Sequence, residues 1–67
     1  MLLKEIYPYL VDGHICFFND NDTDMFNTYQ GANDEEWYNR KLKEVWDAEV
    51  KYVKAGELFE FLIYLRV

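Results

Sequence analysis

Apolar and polar residues alternate most clearly near the end of the chain. Beyond Glu57, across residues 58–67, the odd positions Phe59, Phe61, Ile63, Leu65 and Val67 are all apolar, whereas the even positions Leu58, Glu60, Leu62, Tyr64 and Arg66 are mixed. Side chains point alternately to the two faces of a strand, so this pattern predicts a β-strand with one buried face and one half-wet face. Gly56 just before it and the density of β-branched and aromatic residues favour strand over helix. Weaker versions of the pattern recur. In residues 14–19, Ile15 and Phe17 share one face and His14, Cys16 and Phe18 the other. Residues 25–30 and the charged-alternating residues 49–55 also read as strands. The polar loop of residues 19–24 joins the first two strands, and Gly56 joins the last two, so two hairpins are predicted.

Elsewhere the period becomes helical. Leu2 or Leu3, Ile6 and Leu10 are spaced for a helix, which Pro8 must shorten or kink. Val11, Asp12 and Gly13 then make a turn. Tyr38, Leu42, Val45 and Trp46 form an apolar stripe over residues 38–46, with Trp37 off it. Asn33 is the expected N-cap, with Glu36 three residues on as in a capping box. The predicted order is α-β-β-α-β-β. The expected fold is a single α+β domain, residues 1–67, with a small, mostly antiparallel four-stranded sheet and the helices packed on one face. Leu58, Leu62 and Tyr64, on the other face, then require a second layer from the opening segment or from another chain.

With 67 residues, the chain buries only about 60% of its unfolded surface, so its core is small. Thirteen aromatic rings are more than such a core easily encloses, and tyrosine and tryptophan left near the surface suit protein interfaces. Cys16 is the sole cysteine, which excludes an internal disulfide and points to a reducing compartment. The start of the chain, Met1 to Glu5, lacks a basic signal-peptide pattern, and no apolar run approaches the roughly 18 residues of a membrane span. The expected location is therefore the cytoplasm of a host cell, with no membrane partner.

Charge divides the chain. Residues 1–39 carry eight acids (Glu5, Asp12, Asp20, Asp22, Asp24, Asp34, Glu35, Glu36) against Lys4, a net −7; residues 40–67 carry five acids and six bases, a net +1. An acidic half repels nucleic acid and anionic membranes and attracts basic surfaces. The competing view is that this charge only confers solubility. The basic cluster Arg40, Lys41 and Lys43, with Lys51 and Lys54, is thin for direct nucleic-acid binding, which is not expected.

Catalytic chemistry finds little support. There is no serine, Thr23 and Thr28 lack an evident base, and His14 is the sole histidine. His14 and Cys16 share a strand face but lack two further soft ligands for zinc within one chain. Asp20, Asp22 and Asp24 alternate like the start of a calcium loop, yet Met25 and Gly31 stand where that loop needs glycine and glutamate. No enzyme activity, catalytic residue, metal or cofactor is expected.

The chain also resembles small proteins encoded by phages and prophages of Gram-positive bacteria. The residues that carry the likeness are Leu2, Leu3, Ile6, Tyr9 and Leu10 at the start, a strand ending in Asn19 and Asp20, and the Tyr29-Gln30-Gly31 step. An acidic helix start, a strand opening at Glu49 and Val50, and a closing apolar strand complete it. The resemblance implies no settled activity. It does imply an inhibitor of a host or defence protein, of the kind that resembles anti-CRISPR proteins occupying nucleic-acid sites.

Together these readings predict a small acidic protein that blocks a basic, nucleic-acid-binding protein surface by mimicking phosphates. The expected contact residues are Asp20, Asp22, Asp24, Asp34, Glu35, Glu36 and Trp37, with exposed tyrosines as further anchors. The alternative is a homodimeric structural or accessory protein, associating through Leu58, Leu62 and Tyr64.

Overall fold

A computed structural model describes residues 1–10, 13–57 and 59–67. The turn expected at Val11 and Asp12, and Leu58, lie outside the described residues. The elements run α1 (Leu3–Ile6), a 3-10 turn (Tyr7–Tyr9), β1 (His14–Phe18), β2 (Asp24–Asn27), α2 (Thr28–Asn33), α3 (Glu35–Glu44), β3 (Val50–Ala55) and β4 (Glu60–Leu65). The fold is α+β.

The opening helix is short, and it tightens into the 3-10 turn at Pro8 because proline has no amide to continue the helical ladder. The Glu5 carboxylate accepts the Leu2 amide at 2.7 Å. The strand expected over residues 25–30 ends at Asn27, and α2 begins where the strand reading continued. Asn27 causes the change: its side chain accepts the Gln30 amide at 2.9 Å, while the Gln30 side chain accepts the Asn27 amide at 3.0 Å. This reciprocal capping box starts a helix immediately after the strand. The cap of α3 is likewise Asp34, which accepts the Trp37 amide at 3.0 Å, and not the expected Asn33, which closes α2.

Both predicted hairpins are present, but the sheet is mixed and not mostly antiparallel. Its order is β2-β1-β4-β3, with antiparallel outer pairs and a parallel central pair, β1 with β4. The reason is the connection. After β2 the chain crosses the sheet through α2 and α3 before starting β3, and a helical crossover brings its second strand back in the direction of the first. With β3 parallel to β2, a hairpin return makes β4 parallel to β1. The order also sorts strands by polarity. Residues Ile15 and Phe17 of β1 and Ile63 and Leu65 of β4 sit centrally, while the lysine-bearing β3 and the four-residue β2 take the edges, where charge and shortness discourage further pairing.

The core gathers Leu3, Ile15, Phe17, Phe26, Tyr38, Val45, Ile63 and Leu65. Helices α1 and α3 thus lie on the Phe17 side of the sheet. The buried run in β4 is shorter than its alternation predicts: Ile63 and Leu65 are 0% exposed, whereas Phe59 is 84% and Val67 52% exposed. Those two residues lie just outside β4, where only their carbonyls accept neighbouring amides, from His14 and Asp20, and their side chains stay in solvent. Phe59 also has a φ of 60°, a left-handed backbone that bulky residues rarely adopt.

Gly31 allows α2 to pack against α3. A Cβ at this position would lie 2.7 Å from Tyr38 Cγ and 2.8 Å from its Cδ1. Helix propensity alone makes Gly31→Ala stabilising by roughly 1 kcal/mol. Tyr38 is buried and cannot yield freely, so the substitution is expected instead to destabilise by about 1–3 kcal/mol. Urea unfolding checks the sign; a higher midpoint for Gly31→Ala would contradict the packing.

Candidate functional surface

The acidic residues occupy two separate places. Asp20 and Asp22 lie in the loop closing the β1–β2 hairpin, with Asp24 opening β2. Asp34, Glu35 and Glu36 start α3, reached only after β2 and α2. The two groups are therefore separated along the chain by β2 and α2.

The loop is well ordered by its own side chains. Asn19 Oδ1 accepts the amides of Asn21 at 2.9 Å and Thr23 at 3.0 Å, and Asp22 takes a φ of 60°. Asparagine and aspartate tolerate these turn conformations because their short side chains substitute for backbone partners. Asp20 is held by Lys51 at 3.1 Å, and its amide donates to the Val67 carbonyl at 3.2 Å. The remaining ion pairs are Lys4–Asp47 at 2.7 Å, Lys41–Glu44 at 3.9 Å and Arg66–Glu49 at 3.8 Å. The hydrogen bond and charge of Asp47 raise the Lys4 pKa. Thus Asp22, Asp24, Asp34, Glu35 and Glu36 have no cationic partner among the described residues.

Trp37 is half-buried. Its ring meets Phe26 edge-on at 6.4 Å, and the Lys41 ammonium lies 5.9 Å from its centroid. Tyr9, Tyr29 and Tyr52 are the tyrosines that stand exposed, and Tyr29 stacks on His14 at 4.0 Å. A shallow depression of about 260 Å³ lies on α3, lined by Asn39, Leu42, Lys43 and Trp46. It is smaller than an ordinary ligand cleft.

A second surface is the sheet face opposite the helices. A ladder of rings crosses it from β1 through β4 to β3: Phe18 stacks on Tyr64 at 4.7 Å and Tyr64 on Tyr52 at 4.5 Å. The Lys54 ammonium lies 5.3 Å from Tyr52 and 5.5 Å from Tyr64, a favourable cation–π position. The rings use their flat faces on one another, so they present edges outward and not platforms for base stacking. The sequence predicts Leu58, Leu62 and Tyr64 as one uncovered face and His14, Cys16 and Phe18 as another, without joining the two; Leu58 lies outside the described residues. The alternation of His14, Cys16 and Phe18 was the available signal, but linking it to Tyr64 needed the parallel register of β1 with β4.

Also on this face, the Cys16 thiol donates to Glu60 Oε1 at 3.1 Å. Burial, then the hydrogen bond and charge of Glu60, push the thiol up to about 12. Cys16 is therefore a protonated, unreactive thiol at neutral pH. Burial and the Tyr7 hydroxyl, 3.2 Å away, raise the Tyr38 phenol in the same way. His14 lies 3.3 Å from the Thr28 hydroxyl through Nδ1, and no group of three or more metal-ligating side chains occurs among the described residues. No helix among the described residues is long and apolar enough to cross a membrane.

Compared with known proteins, the chain matches no family model, no curated protein and no solved structure.

Iodoacetamide at pH 8 is expected to label Cys16 in the folded chain at least ~tenfold more slowly than in urea, because little thiolate is present. Glu60→Gln removes the carboxylate that disfavours the thiolate and is expected to speed labelling of the folded protein. Equal rates in the folded and unfolded wild-type chain would contradict the hydrogen-bonded, desolvated thiol.

Proposed function

We propose that this protein is a small non-catalytic binding protein that covers a basic surface on a larger protein. The observation that carries the reading is that Asp22, Asp24, Asp34, Glu35 and Glu36, which like Glu5, Glu57 and Glu60 have no cationic partner among the described residues, gather beside the β1–β2 loop and at the start of α3. Four ion pairs form around Lys4, Lys41, Lys51 and Arg66, and none of them neutralises these five. Carried on a capped loop and a capped helix start, the carboxylates form two clusters of negative charge that can stand in for phosphates. Such an arrangement speeds encounter with a basic site and competes with nucleic acid for it. Asp20 contributes mainly to the loop through Lys51, and Asp34 mainly to the helix start, so Asp22, Glu35 and Glu36 carry most of the contact. Trp37, half-buried beside them, offers one ring edge as an anchor.

The resemblance to small phage-encoded inhibitors supplies the proposed setting: the cytoplasm of a bacterial host, with a nucleic-acid-binding host or defence protein as target, as for anti-CRISPR proteins. In this reading the protein binds neither nucleic acid nor membrane directly and needs no cofactor.

The test is retention of host proteins on the immobilised chain, eluted by a salt gradient. Partners should leave at moderate salt, since exposed charge pairs are screened within about 8 Å at physiological ionic strength. Added duplex DNA should release them early. The triple variant Asp22→Lys, Glu35→Lys, Glu36→Lys leaves the Asp34 cap intact and is expected to bind the same partner ~tenfold or more weakly with an unchanged circular dichroism spectrum. Unaltered retention of that partner by the folded triple variant would sink the proposal.

A further inference from the structure

The sheet face opposite the helices is self-complementary, and its rows show how. Register places Phe18 beside both Asp24 and Tyr64, and Tyr64 beside Tyr52, so one row runs Asp24, Phe18, Tyr64, Tyr52 from edge to edge. The next row runs Asn27, Cys16, Leu62, Lys54. Lys54 leans toward the first row, because its ammonium lies over Tyr52 and Tyr64. One edge of the face is thus acidic and the other basic, with rings and Leu62 between them. Asp24 has no cationic partner among the described residues. Phe18, Leu62 and Tyr64 are only partly buried, and Tyr52 is 36% exposed.

We propose that this face is an interface between two copies of the chain, related by a two-fold axis parallel to the strands and running between β1 and β4. Such a rotation exchanges β1 with β4 and β2 with β3. Because β1 and β4 are parallel and in register, every row meets its own reverse. Phe18 of one copy opposes Tyr64 of the other, and Cys16 opposes Leu62. By register Asp24 opposes Tyr52 and Lys54 opposes Asn27, and because the Lys54 ammonium reaches over Tyr52 it comes to face Asp24, twice per dimer. Glu60, whose carboxylate already accepts the Cys16 thiol, opposes His14. A two-fold axis across the strands would instead set Asp24 against Asp24 and Lys54 against Lys54, which charge repulsion disfavours. A symmetric dimer needs this kind of self-complementary patch.

The patch is small. Four strands wide and about five residues long, it projects to roughly 300 Å², below the roughly 800 Å² per partner of a stable complex. The dimer is therefore a weak, reversible one, populated at concentrations on the order of 100 µM. It uses none of Asp22, Glu35 or Glu36, so its failure and that of the acidic contact are separable.

Sedimentation velocity on the full chain, from about 5 µM to about 500 µM at low salt, tests the interface. Wild type is expected to shift from monomer toward dimer across that range. Asp24→Lys and Lys54→Asp, each alone, create two like-charge contacts and are expected to weaken association ~tenfold or more. An equimolar mixture of the two variants restores both opposite-charge contacts, and is expected to associate at least as well as wild type. Circular dichroism of each variant establishes that it is folded. A wild type that stays monomeric at 500 µM, dimers indifferent to both substitutions, or a mixture no better than its components would each overturn the proposal. Monomer throughout would leave the face to a different partner.

Discussion

Phe17 is the contact on which the rest of the structure depends. It is fully buried in β1, stacked on Phe26 of β2 at 4.4 Å and near Tyr7 at 6.5 Å. Phe26 in turn meets Trp37 and Tyr38 edge-on, and Tyr7 meets Trp46. One ring thereby links the first hairpin, the opening segment and α3. Without a disulfide, a core of this size draws its stability from a few large rings, each removing far more apolar area from water than an aliphatic residue can. The connected ring network takes the place of the cross-link that small secreted domains use.

That concentration on one side leaves the molecule asymmetric. Helices α1 and α3 answer the demand of Ile15, Phe17, Ile63 and Leu65 for cover, and the chain has no further element among the described residues for the opposite face. The ladder Phe18–Tyr64–Tyr52 partly shields itself by ring stacking, which lowers the cost of leaving it wet without removing it. Charge is divided along a different line, with unpaired acids beside the β1–β2 loop and at the start of α3, and Lys54 at the β3 edge. The protein therefore has two surfaces with different physics: carboxylates whose reach depends on salt, and rings whose burial depends on a second apolar face.

Much of the chemistry was legible in single residues. The strands were found by alternation, the hairpins by the polar loop and Gly56, and the bend of the first helix by Pro8. Errors fell where one local rule met a stronger one. Asn27 reads as a strand residue by pattern, but its capping box with Gln30 starts a helix there. Asn33 and Asp34 are both competent caps, and only the closing of α2 on Asn33 leaves the Trp37 amide to Asp34. Phe59 and Val67 continue the alternation of β4 in sequence and their carbonyls still accept the His14 and Asp20 amides, yet both lie outside β4 and their side chains stay exposed, Phe59 from a left-handed backbone.

The sequence by itself determined the four strands, the opening and long helices but not α2, the two hairpins, the inward set centred on Ile63 and Leu65, and the separation of acidic from near-neutral halves. These are consequences of neighbours two to four residues apart, where period and capping act directly. Tertiary structure decided how the hairpins join. Pairing β1 with β4 depends on the crossover through α2 and α3, and no local rule specifies where a crossover lands. With that one decision came the mixed sheet, the Cys16–Glu60 hydrogen bond across 44 residues, and the row that sets Asp24 and Lys54 at opposite edges of a single uncovered face.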